Sequence, residues 1–162
     1  MSAGPAGAHV AGYCAEFQLC TRDNGTRILL AYDPSGVAAA VATILASDLV
    51  QVATAHVRDR PGYEPGGRPD HGLKIIADRA SEVGALSYYG PGGEDYGPGA
   101  WITYSEDGHG KGVRLVRDMD TESLFPADSH IALSTLARAV EDFRATGGLR
   151  PTNCAWRPST MW

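Results

Sequence analysis

A chain of 162 residues, 43% of them hydrophobic, has material for one substantial core and little room for a second. Its formal net charge of −5 disfavours the phosphate backbone of nucleic acid as a partner. No apolar run approaches the roughly 20 residues that a membrane-spanning helix needs, so no membrane partner is expected.

Met1 to Gly12 is small and Gly/Ala-rich, without the basic start and continuous apolar centre of a secretory leader. We therefore expect a flexible tail over 1–12, a single domain over 13–158, a short tail over 159–162, and a cytoplasmic location. From Glu16 to Arg22 the residues alternate around Phe17 and Leu19, Asp23-Asn24-Gly25 signals a turn, and Arg27 to Tyr32 returns as an apolar strand, which makes an opening hairpin. Asp33-Pro34-Ser35 starts a helix through Val37, Val41, Ile44 and Leu45. Leu49 to Val57 is β-branched enough for the next strand, and Asp59 to His71, rich in Pro, Gly and charge, reads as an exposed loop.

Gly72 to Ala77 and Val83 to Tyr89 read as neighbouring strands. The segment 90–99 is nearly all breaker residues around Glu94, Asp95 and Tyr96, and is expected to be irregular. Its acids, and the strand-like Ala100 to Tyr104 that follows it, argue against a phosphate cradle. Ser105 to Lys111 is a further turn and Gly112 to Asp118 a further strand. Leu133, Leu136, Ala137, Val140 and Phe143 then recur at helical spacing, with Arg138, Glu141, Asp142 and Arg144 between them facing water. Asp128, Ser129 and Ser134 are candidate caps for that helix, Gly147 or Gly148 can close it, and Pro151 cannot continue it. Thr152 to Trp156 is the last strand. The expected fold is α+β, a mostly antiparallel sheet of about six or seven strands packed with two helices.

Chemistry is sparse. Cys14, Cys20 and Cys154 form no close-spaced pair and are odd in number, so they read as structural or incidental thiols. Histidines at 9, 56, 71, 109 and 130 make no helical pair, and neither a metal nor a cofactor is expected. Ser129 beside His130, Cys154, and the pair Asp118 and Asp120 are the material for a small hydrolase or transferase. No nucleophile elbow, Walker loop or zinc signature accompanies them, so no catalytic residue is assigned. Charge is more informative: residues 81–143 hold eleven acids against four bases, whereas 1–80 are near balance. Such a field is either a solvating surface or a lure for a basic protein, with an acidic scaffold module as a variant of the second.

The run Phe125, Pro126, Asp128, Ile131, then Asp142-Phe143, Thr146-Gly147-Gly148, Arg150-Pro151 and Trp156 resembles the carboxy-terminal signature of the first-numbered family of immunity proteins from bacterial polymorphic toxin systems. Leu86, Ser87 and Tyr88 after Gly84 resemble its mid-domain strand, and the helix near 35–47 sits where its first helix is expected. Ala155 stands where the family's residue before the closing Trp is polar or acidic. The resemblance implies a non-enzymatic protein that binds and occludes a cognate toxin domain, a nucleic-acid deaminase or nuclease with a basic cleft. On that reading Glu94, Asp95, Tyr96, Glu106, Asp107, Asp118, Asp120 and Glu122 are the expected toxin-binding residues. Phe125, Pro126, Asp128, Ile131, Phe143, Gly147, Gly148, Pro151 and Trp156 are expected to be structural, with Phe143 and Trp156 holding the last helix on the sheet and Phe125-Pro126 setting its entry angle.

Overall fold

Strand β1 (Ala15–Thr21) buries Ala15, Phe17 and Leu19 on one side and exposes Gln18 and Cys20 on the other, the period of a half-covered sheet. The computed structural model describes residues 12–21, 23, 25–46, 50–60, 69–91, 98–106, 112–118 and 121–159. Of the expected terminal tails, 1–11 and 160–162 lie outside these. β1 pairs with β2 (Thr26–Ala31) as the expected hairpin. Helix α1 (Pro34–Ala46) follows, its first turn closed by the Gly36 amide donating to Asp33 Oδ1 at 2.7 Å, with Pro34 where a missing amide does no harm.

The sheet continues with β3 (Val50–Val57), β4 (Gly72–Asp78), β5 (Val83–Pro91) and β6 (Pro98–Tyr104), and closes with β10 (Ala155–Ser159). Its order is β10-β6-β5-β4-β3-β1-β2, antiparallel throughout. Between β6 and β10 come a separate hairpin of β7 (Val116–Asp118) and β8 (Ser123–Leu124), a 3-10 turn at Ala127–Ser129, the two-residue β9 (Ile131–Ala132) on β5, and helix α2 (Leu133–Ala145). The α+β class and two helices agree with the expectation, and the main sheet counts eight strands because β9 joins it.

Register explains the core. Leu29, Phe17, Ala55, Leu73, Tyr88 and Trp101 form one row across six strands, and both helices lie on it. α1 contributes Val37, Ala40, Val41 and Ile44, and α2 contributes Leu136, Ala139, Val140 and Phe143. The opposite face carries a second, smaller core of Ala85, Ile102, Leu115 and Phe125, which seats the β7–β8 hairpin. Phe125 therefore does not set the entry angle of α2. It anchors the hairpin to the back of the sheet, where its amide donates to the Leu115 carbonyl at 2.8 Å.

From Phe125 the chain passes around the end of β6 to reach the helical face. Thr103, fully buried, fastens that passage: its Oγ1 accepts from the Leu86 amide at 3.1 Å and donates to the Ser129 carbonyl at 2.7 Å. Asp128 and Ser129 are thus not caps of α2, which starts from Ala132 with no side-chain cap. Asp128 instead holds Arg157 of β10 through bonds of 2.6 and 2.7 Å.

Other corrections have equally local causes. Gly90-Pro91 and Pro98-Gly99, expected to be irregular, pair as the ends of β5 and β6. The last strand runs Ala155–Ser159 rather than Thr152 to Trp156, because the Thr152 amide is taken by Asp142 Oδ2 at 2.8 Å. Only Val116–Asp118 of the expected Gly112 to Asp118 is strand, since Leu115 is drawn into the back core. Arg144 does not face water. It is 5% exposed, grips Glu141 at 2.6 and 2.9 Å, and donates to the carbonyls of Tyr13 and Tyr32 at 3.0 and 3.4 Å. No helix among the described residues is long and apolar enough to cross a membrane.

Gly84 lets α2 approach β5. A Cβ there would sit 2.4 Å from Leu136 Cδ1 and 2.8 Å from the Ile76 carbonyl oxygen, and the second neighbour cannot yield. Gly84→Ala is expected to lose about 1–3 kcal/mol of stability in urea denaturation; an unchanged midpoint would show that α2 has room to lift.

Candidate functional site

The end of α2 gathers hydrogen bonds from several elements. A helix leaves its last carbonyls without partners, and here Gly147 and Gly148, at φ 76° and 90°, turn the chain back so that their amides donate to the Arg144 and Phe143 carbonyls at 3.1 and 2.8 Å. Their own carbonyls face the sheet. Tyr88 Oη donates to the Gly148 carbonyl at 2.9 Å, and Arg60 Nη1 to that of Gly147 at 3.2 Å. Burial pushes the Tyr88 phenol up to about 12, so it stays a donor.

Both glycines are also needed for space. A Cβ on Gly148 would meet His71 Cδ2 at 2.5 Å, and one on Gly147 would meet Tyr13 Cζ at 2.9 Å. Around them the rings interlock: Tyr88 lies 6.0 Å from Trp101, 6.3 Å from Phe143 and 6.2 Å from Trp156, while Phe143 lies 5.9 Å from His71. Trp156 Nε1 donates to the Pro151 carbonyl at 2.7 Å, and the Arg150 guanidinium covers Trp101 at 4.7 Å. Phe143, Gly147, Gly148, Pro151 and Trp156 thus make one packed knot, joined by Tyr88 and His71.

His71 ends the segment expected to be an exposed loop, yet it is 2% exposed. Its Nε2 accepts from the Val57 amide at 2.7 Å and its Nδ1 faces Asp70 Oδ1 at 2.8 Å, which fixes the neutral ring with the proton on Nδ1. Burial holds its pKa below the usual histidine value, against the pull of Asp70. Burial likewise lowers His56, which lies 3.1 Å from Glu16. Cys14 and Cys154 are both raised by burial, the latter to about 12, which disfavours the thiolate form of each.

The acidic residues divide by position. Glu106 is exposed just past the carboxyl end of β6, and Glu122 is exposed at φ 54° in the β7–β8 turn. Asp118 is half-buried, where its charge acts on Lys74 and Arg117. Glu94, Asp95, Tyr96, Asp107 and Asp120 lie outside the described residues. Arg117 Nη2 donates to Ser159 Oγ at 2.6 Å, and Ser159 pairs with Ala100 near the start of β6. Residues 92–97 are flanked by Pro91 and Pro98, which pair at one end of the sheet, whereas β7 lies across its back, tied to β10 by Arg117 and set near Lys74 of β4 by Asp118. Glu106 belongs to the other end, one strand length of about 20 Å away. Ser129 and His130 are both buried, Ser129 Oγ donates to the Pro126 carbonyl at 2.6 Å, and the pair forms no exposed nucleophile.

A family model described as Immunity protein Imm1 matches residues 31–158, most of the chain. No curated protein and no solved structure matches. The matched span runs from the end of β2 to β10 and includes the whole knot.

Two outcomes follow from the knot. Gly148→Ala strains a left-handed residue and drives a methyl into His71, so a loss of about 2–3 kcal/mol is expected in urea denaturation. His71 and His56 take up a proton more readily unfolded than folded. Their contribution is full above pH 6.5, the ordinary histidine value, and is lost as pH falls through the lowered folded values. His71→Gln keeps an acceptor for the Val57 amide and removes one titration. Its unfolding free energy should drop less between pH 7 and pH 5 than that of the wild type, by up to about 1.4 kcal/mol per pH unit; parallel curves would discard His71 as a source.

Proposed function

Since the chain belongs to the Imm1 family of immunity proteins, we propose that it protects a bacterial cell in the cytoplasm by binding a cognate toxin domain and covering its working surface. The family match over residues 31–158 carries this reading. The toxin we infer is an enzyme of nucleic acid, a deaminase or nuclease, whose phosphate-binding cleft is basic and so attracts an acidic protein. Inhibition by occlusion needs no turnover: an interface of standard size, roughly 1,600 Å², suffices for tight binding when aromatic anchors support it.

Two acidic groups are candidates for the contact. One groups Glu94, Asp95 and Tyr96 with Asp118, Asp120 and Glu122, the first three being flanked by Pro91 and Pro98 and the others belonging to the hairpin that Arg117 ties to β10. The other is Glu106 with Asp107. We assign the toxin to the first, which combines more carboxylates with an aromatic residue. In support of a binding role, the signature aromatics Phe143 and Trp156 are occupied in the core cluster, which leaves recognition to the turns.

Coexpression with its cognate toxin domain should restore growth and yield a co-purifying complex. Turnover of a small substrate by the purified chain alone would instead support a hydrolase or transferase. Within the complex, the double reversal Asp120→Lys with Glu122→Lys should slow association about tenfold at low salt and less at high salt, while Glu106→Lys with Asp107→Lys should change it little. The opposite ranking moves the toxin to the far end of the sheet, and unchanged rates for both reject an electrostatic lure.

A further inference from the structure

The two outer strands of the main sheet differ in how they meet solvent. β10 carries Pro158, which has no amide to offer, and its Arg157 is locked to Asp128. β2 has neither device. Among the described residues nothing pairs with its outer side, and it exposes Ile28 at 58% and Leu30 at 39%, followed by Tyr32 at 61%. We propose that β2 is a self-association edge, on which a second copy of this chain docks its own β2 antiparallel about a two-fold axis at Leu29.

Hydrogen-bond parity supports that register. The Thr21 amide donates to the Gly25 carbonyl at 3.0 Å, so the mutually bonded pairs of the hairpin are those in step with it, Leu19↔Arg27 and Phe17↔Leu29. The amides and carbonyls of the alternate residues, Ile28 and Leu30, are turned outward. A two-fold axis at Leu29 sets Ile28 opposite Leu30 of the second copy, and the reverse, so each such pair exchanges both of its backbone bonds. The same register places the two exposed apolar side chains together on the face away from the helices. It sets Arg27 opposite Ala31 of the second copy, one diagonal step from that copy's Asp33, an opposite charge within reach of a long side chain.

A basic toxin strand fits this edge less well, because the one charged side chain on β2 is Arg27. The pairing is isologous, as closed dimers require. It is independent of the toxin assignment, since β2 is a border strand of the sheet and carries none of the acidic residues of either group.

Sedimentation of the full chain over a concentration series reaching about 100 μM should show a monomer–dimer equilibrium. The variant Ile28→Lys with Leu30→Lys opposes like charges in both cross-strand pairs and should raise the midpoint at least about tenfold. Ile28→Lys with Leu30→Glu is self-complementary only when the two-fold axis passes through Leu29, opposite charges then facing each other twice, and should keep the dimer. Both variants change solvent-facing positions, and circular dichroism melts confirm that each is folded. A wild-type chain that stays monomeric overturns the proposal, as does a dimer indifferent to the paired lysines, which would lie on another surface. A monomeric wild type whose toxin capture is lost in the paired-lysine variant assigns β2 to the toxin instead.

Discussion

The carbonyl groups that end α2 must find donors, and the way they find them organises the domain. Gly147 and Gly148 adopt a backbone shape that side chains resist, and this presents their carbonyls to Arg60 and to Tyr88 rather than to water. Tyr88 in turn sits at the centre of the aromatic group made by Trp101, Phe143 and Trp156. A hydrogen bond to a buried carbonyl is modest in net terms, but leaving that carbonyl unmatched is not, so the ring and the helix end hold each other in place. Arg144 adds a second fastening from the same turn to the start of β1 and the end of β2. The run that resembles the family's signature is in this sense a clamp between one helix and one sheet.

The sheet has two differently used faces. The helical face holds the main core, and the back is only partly covered, by a hairpin seated through Phe125 and Leu115. Because the chain must cross from back to front between Phe125 and Ile131, Thr103 takes the place of a missing ladder bond, linking β5 to the crossing segment.

Periodic elements are legible in the sequence. The opening hairpin, both helices and the strands through β6 follow from spacing, turn residues and proline. What is not legible involves partners distant in sequence. Arg144 lies at the border of the apolar stripe, and only the two carbonyls brought to it by the fold make its burial tolerable. His71 ends a stretch rich in Pro, Gly and charge, and no local signal tells that its ring will accept the Val57 amide. Phe125 is recognisable as an anchor, but sequence does not tell which face of a sheet a side chain will reach. The glycine pair can be read as a helix stop; that it must also admit His71 and Tyr13 is a property of packing. For the candidate site, the carboxylates are visible as a composition bias, whereas their separation to opposite ends of β6 follows from strand direction alone.

The proline in the last strand has a consequence for assembly. A sheet with two receptive borders can add subunits indefinitely and grow into a fibre, because every addition exposes a fresh border. Here Pro158 and the immobilised Arg157 shut one border. Any growth through the remaining one consumes it, so that stacking through sheet borders would terminate after a single step and give a closed pair rather than a fibre.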